Sequence, residues 1–173
     1  MGLILPFNGI LPVWGDDCFI APNATLTGDV QMGNHCSVWF NAVIRGDVHS
    51  IRIGDYTNIQ DGALVHCTYK HAATTIGSGV SVGHHAMIHG CTIEDDVLIG
   101  MGAIVLDHAV VQKGCLVGAG SVVTERSVLE SGWLYAGIPA RKIKPLDEDR
   151  IALMKRTAIR YPEYGKMYNL PEI

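Results

Sequence analysis

The nine residues VGHHAMIHG, 82–90, carry His84, His85 and His89, and His66 stands upstream in LVHC. Three neutral imidazoles with a fourth position left open form the donor set of a catalytic zinc site. Imidazoles gathered without an ion serve instead as packing groups or as a proton relay. Which of these applies depends on where the side chains point, and that is a question about the elements that carry them.

Composition narrows the classes first. The chain has 173 residues, with 13 Lys+Arg against 17 Asp+Glu and a formal net charge of -4. That length suits a single domain over 1–173 with a substantial core. A mildly acidic chain with no basic run argues against nucleic acid as a partner. The start MGLILPF lacks the basic region and cleavage site of a secretory signal, and Pro6 breaks the myristoylation pattern. No apolar run approaches the roughly 20 residues of a membrane span. A cytoplasmic protein with no membrane partner is expected. Its five cysteines contain no CxxC pair and read as reduced, mostly buried thiols.

A repeat of six organises the chain. Large apolar residues recur at Ile20, Leu26, Met32, Val38 and Ile44, then at Ile53, Ile59 and Val65, then at Ile76, Val82 and Ile88. The last series is Ile93, Ile99, Val105, Val111, Val117 and Val123. A small or β-branched residue follows four places on, as at Cys36, Ala42, Val48, Ala63, Ala86 and Cys115. Six residues are too few for a helical repeat and fit a short strand plus a corner, with the large residue pointing inward. Stacked units of this kind make an all-β solenoid, a parallel β-helix. Three extra residues fall between Ile44 and Ile53, and about five more lie between Val65 and Ile76; insertions in solenoids map to corners.

With three units per coil, Ile44, Val65 and Ile88 share one face. Arg45, His66 and His89 then point outward in one column, neighbours about 4.8 Å apart along the coil axis. Ile59 and Val82 stack on the preceding face and place Gln60, Asp61 and His84 near its end. Two stacked imidazoles can hold a divalent ion, but a third ligand from His84 must come round a corner or from a neighbouring subunit. The remaining His35, His49, His71, His85 and His108 read as surface or corner residues.

The six-residue pattern, over roughly residues 10–145, resembles the hexapeptide-repeat family. That resemblance implies a left-handed coil, usually trimeric. RGD at Arg45–Asp47, NIQDG at Asn58–Gly62, the histidine of LVHC, and GHxxxxHG over Gly83–Gly90 narrow the likeness to the γ-class carbonic anhydrases. It implies a Zn2+ site, with Fe2+ or Co2+ also suited to imidazole, made by His66 and His89 of one subunit and His84 of the next. It further implies an interface ion pair of Arg45 and Asp47, and reversible hydration of CO2 to bicarbonate in a homotrimer. Gln60 would orient the reacting oxygen, with Asn58 and Asp61 in the supporting motif. Such enzymes place a glutamate where this chain has Val48, and acids in the loop that here holds Lys70 and His71, so proton export falls to another group. His71, His85 and Tyr161 are the candidates.

After the repeats, 131–146 reads as an extended exit strap. Residues 147–168 read as a helical tail, with Asp147 as N-cap, an apolar stripe of Ile151, Met154, Ala158 and Ile159, and Pro162 as the stop. GIPARKI in the strap is shared with CoA-dependent hexapeptide acyltransferases. That activity, which needs no metal, is the competing reading, and a non-catalytic metal-binding scaffold is a third.

Overall fold

The computed structural model describes residues 2–168. Short strands two or three residues long pair in parallel, each with its counterpart one coil on, and build three faces. The first holds Thr25–Thr27, Val43–Arg45, Leu64–His66, Met87–His89, Ile104–Val105 and Val122–Val123. The second runs from Val13–Trp14 through Ile51–Ile53, Thr74–Ile76, Thr92–Ile93 and Val110–Val111 to Val128–Leu129. The third runs from Phe19–Ile20 through Asn58–Ile59, Ser81–Val82 and Leu98–Ile99 to Trp133–Ala136. In two coils the strand continues round the first-to-second corner, giving the long strands Thr25–Met32 and Val43–Ile53. Ile44, Val65, Ile88 and Val105 are fully buried, so the inward column is the core. No helix among the described residues is long and apolar enough to cross a membrane.

Corners have their own chemistry. Asp17, His35, Asn41, His85, Asp96 and His108 all adopt positive φ, each one residue before a small inward residue, as Gly62, Gly79 and Gly114 do elsewhere. Asp, Asn and His are among the L-residues that tolerate this left-handed conformation best. His35, His85 and His108 are thus corner residues, as their spacing suggests.

Val48 departs from expectation. Gly28 pairs with Gly46 and Val30 with Ile51, so the three extra residues form a bulge opposite Asp29. Ile51 takes the inward place at 0 % exposure, and Val48 stays half-buried in the bulge. The hexad count cannot be carried through an insertion.

The exit strap does more than run out of the coil. Trp133–Ala136 adds a last parallel strand beside Leu116–Val117, and Arg141–Pro145 folds back antiparallel onto it. The C-terminal helix spans Glu148–Lys166, and the Asp147 carboxylate accepts the Arg150 N–H at 2.8 Å. Pro162 does not stop it. A proline removes one backbone donor within the last turns, yet Tyr161 packs against Trp39 and Gly165 lies directly on Phe19, which hold the final turn in place. The buried stripe is Met154, Ala158, Pro162 and Gly165, while Ile159 is exposed. This helix covers the third face where its outward residues are Ser37, Asn58 and Ser81, all buried.

Candidate metal centre

His66 and His89 sit side by side at the corner between the first and second faces, in register on adjacent strands. His66 Nδ1 and His89 Nε2 are 3.2 Å apart. Two nitrogens bound to one tetrahedral ion at about 2.0–2.1 Å must lie about 3.3 Å from each other, so the separation fits two donors on one ion as well as a hydrogen bond between the rings.

The other ring nitrogens set how the two rings face each other. His66 Nε2 lies 3.0 Å from Asp47 Oδ1, and His89 Nδ1 lies 2.6 Å from Asp107 Oδ1. Each carboxylate accepts, so each contacted nitrogen carries the hydrogen. With both rings neutral this turns two lone pairs, on His66 Nδ1 and His89 Nε2, towards one another, an arrangement that a shared cation would stabilise. Burial pushes the His66 pKa down, an effect only partly offset by Asp47, so the imidazole is neutral near pH 7. For Asp47, burial works upward, but hydrogen bonds from His66 and Arg45 outweigh it and hold the carboxyl below its ordinary value. Asp107 is likewise held down, against its burial, by Thr68 and His89.

The bulge delivers Asp47. Gly46 lies against the backbone of Asp29, where a Cβ would approach the Asp29 carbonyl oxygen to 2.6 Å, so only glycine lets the strand fold back here. Within the single chain, Arg45 Nη1 lies 2.5 Å from Asp47 Oδ2. A cavity of about 520 Å3 opens beside them, lined by Val48, His49, Arg52 and Lys70 among others. Asp29 and Asp47 are its acids, and the Val48 and Lys70 positions add none.

His84 belongs to the corner between the third and first faces, at the opposite end of the same first-face turn. Its Nδ1 is 2.8 Å from Asp61 Oδ2, an imidazole–carboxylate contact. Beside it Gln60 Nε2 donates to Asn58 Oδ1 at 3.0 Å, and Asn58 Nδ2 donates to Ser81 Oγ at 2.9 Å. Asn58 and Gln60 are both buried, and their network leaves no buried side-chain polar atom unpaired among the described residues. Tyr161 reaches the same corner from the helix and, with Trp39, Asp61, His84, Tyr164, Met167 and Tyr168, lines a cavity of about 500 Å3. Burial, then the nearby Asp61, pushes its pKa up, so the phenol is a donor rather than a base near pH 7.

The structure thus brings together His66, His89, Asp47 and Arg45 at one corner, and Asn58, Gln60, Asp61, His84 and Tyr161 at another. Among the described residues, no three His, Cys, Asp or Glu side chains of a single chain converge on one point. The donor set fits an ion in part: two imidazoles are poised, and a third donor must come from outside the pair. Asp107 is the residue sequence reasoning missed. It lies two places past the inward Val105, one coil beyond His89, and a search for acids at the corner of the next coil would have found it.

Comparison with known proteins comes from several directions. The family model for bacterial transferase hexapeptide (six repeats) matches residues 15–46 and 90–125. The chain is 46 % identical to a carbonic anhydrase of Geobacillus kaustophilus, across 96 % of this chain and 91 % of that one. It is 43 % identical to the mitochondrial gamma carbonic anhydrase 2 of Arabidopsis thaliana across 91 % of this chain, but it spans only 58 % of that protein's length. Among solved structures, a hexapeptide transferase family protein from Anaplasma phagocytophilum superimposes with a TM-score of 0.92 at 37 % identity, covering 96 % of this chain and 98 % of that one.

Proposed function

Because the chain belongs to the γ-carbonic-anhydrase family of hexapeptide-repeat proteins, we propose that it hydrates CO2 reversibly to bicarbonate at a metal site shared between subunits of a homotrimer. The observation that carries this reading is the pair of opposed lone pairs on His66 and His89, each ring fixed by its own carboxylate. The third ligand is His84 of a neighbouring subunit. The outward column of the first face, Val43, Leu64, Met87, Ile104 and Val122, is apolar and only half-buried in one chain. It lies between the two histidine corners, so a neighbour seated on it brings its own His84 towards the pair.

A divalent ion such as Zn2+, or Fe2+ or Co2+ on the same imidazoles, supplies Lewis acidity that lowers the pKa of water towards neutrality. The chain's own residues do the rest. Asp47, Asp107 and Asp61 hold the three rings in the tautomers that present a lone pair. Asn58 fixes the Gln60 amide by taking its N–H, which leaves the amide oxygen to accept a hydrogen from the attacking water or from bicarbonate. Tyr161 donates at the rim of the cavity beside His84. The proton leaves without the usual glutamates, through solvent or a nearby imidazole. Five free cysteines suit a reducing setting such as the cytoplasm.

Subunits carrying His66→Ala and subunits carrying His84→Ala should each lack the ion at this centre and activity. Mixed trimers of the two should regain both at the interfaces where intact ligands meet. Confirmed mixed trimers with no recovered metal would mean that the site is built within one chain. The likeness to a hexapeptide transferase family structure keeps acyl transfer as the second reading; release of thiol from acetyl-CoA by metal-free protein would favour it.

A further inference from the structure

A second pair of imidazoles faces each other outside the site described above. His71 lies in the loop inserted between Val65 and Ile76, and His108 lies at the corner after Val105. Their Nε2 atoms are 3.1 Å apart, with the rings edge to face at 87°. The insertion is a built hairpin, closed by a backbone bridge between Thr68 and Ala72. Thr68 also donates its hydroxyl to Asp107, which anchors the hairpin two coils beyond its origin. His108 is set by its positive-φ corner. Both rings are therefore placed by backbone they do not control, and neither has another hydrogen-bond partner among the described residues. Both are also open to solvent.

From this geometry we infer that His71 and His108 form a second, peripheral site for a borderline divalent transition-metal ion, with two imidazole ligands and water in the remaining positions. The spacing is close to the roughly 3.3 Å that two nitrogens on one tetrahedral ion require. Imidazole selects for zinc, nickel and copper over the alkaline-earth ions. Asp107, next in sequence to His108, adds negative charge beside the site without being consumed by it, since its oxygens already serve His89 and Thr68. Two protein ligands make a weaker site than three, one filled at micromolar rather than trace free zinc.

The test is zinc stoichiometry on metal-stripped full-length protein, by equilibrium dialysis against micromolar free zinc followed by elemental analysis. Wild type should hold two zinc ions per chain. His71→Ala and His108→Ala should each hold one, and His71→Gln, which keeps a hydrogen-bonding side chain, should do the same. His35→Ala, a corner change elsewhere, should keep two. His66→Ala should lose one ion, and His66→Ala combined with His71→Ala should lose both. The site does not depend on the proposed activity: if the His66 centre were absent, wild type would bind one ion, lost in His71→Ala and retained in His66→Ala. A wild type that stops at one ion removed only by His66→Ala would overturn the inference and leave a plain hydrogen bond between the rings. So would a His71→Ala protein that still binds two.

Discussion

From Ile93 to Val111 to Leu129 each coil takes eighteen residues, three units of six with nothing added. From Ile44 to Val65 the coil takes twenty-one, and from Val65 to Ile88 twenty-three. The two regions share strands, inward columns and corner conformations. They differ in chemistry: Asp47, His66, His84 and His89 all fall between residues 47 and 89, the span that the hexapeptide family model passes over. The regular coils are a scaffold that any apolar hexad can build, and the irregular ones supply the site. An insertion at a corner frees side chains from the inward-outward alternation, so they can reach across to the next coil. Asp107 shows the dependence running the other way, since a regular coil lends one carboxylate to brace the irregular ones.

Substitutions can break this division or sharpen it. The largest effect should follow His66→Ala or His89→Ala, which leave one imidazole where two share an ion. The ion at this centre and CO2 hydration should vanish while the melting temperature of metal-free protein barely moves, as read by elemental analysis at trace free zinc and by calorimetry. Ile99→Ala in a regular coil should do the opposite: a buried cavity costing about 2–5 kcal/mol of stability, with metal content per folded chain unchanged. Next comes Asp107→Asn, which preserves shape but offers an N–H towards His89 and no longer enforces its tautomer. Metal affinity should fall about 10–100-fold, the usual loss when a partner behind a ligand is changed, measured by competition with a chelator. Smallest is Arg126→Gly. Arg126 is exposed at φ 58°, a conformation costing an L-residue roughly 1–2 kcal/mol. Part of that relief is lost to the freer unfolded chain, so a net gain of about 0.5 kcal/mol is expected, with activity untouched.

Much of this was legible because a parallel coil turns sequence spacing into spatial position. Once Ile44, Val65 and Ile88 are aligned, Arg45, His66 and His89 follow as a column, and the structure places them so. The same arithmetic failed where spacing ceases to map onto position. The hexad gives Val48 the small position of its unit, but the bulge hands that inward place to Ile51. Local propensity makes Pro162 a stop, but packing of Tyr161 and Gly165 on the third face overrides the missing donor. Asp107 went unseen because its role depends on a side chain reaching back one coil, and no apolar periodicity records that reach. Arg45 and Asp47 lie two residues apart on one strand and meet within the chain, where Gly46 lets the backbone run against Asp29.

The antiparallel return at the end of the coil has a consequence for solubility. A parallel β-helix ends in a row of unpaired backbone donors and acceptors, able to template another chain and grow into fibres. Here the third-face strand Trp133–Ala136 is already paired on that side by Arg141–Pro145. The covering strand reads RKIKP and lies on the surface, with three cationic residues and a terminal proline. Like charges repel a second copy of the same strand, and proline offers it no N–H. The reversed strand therefore works as a gatekeeper against end-to-end aggregation, at the place where the repeat would otherwise continue without limit.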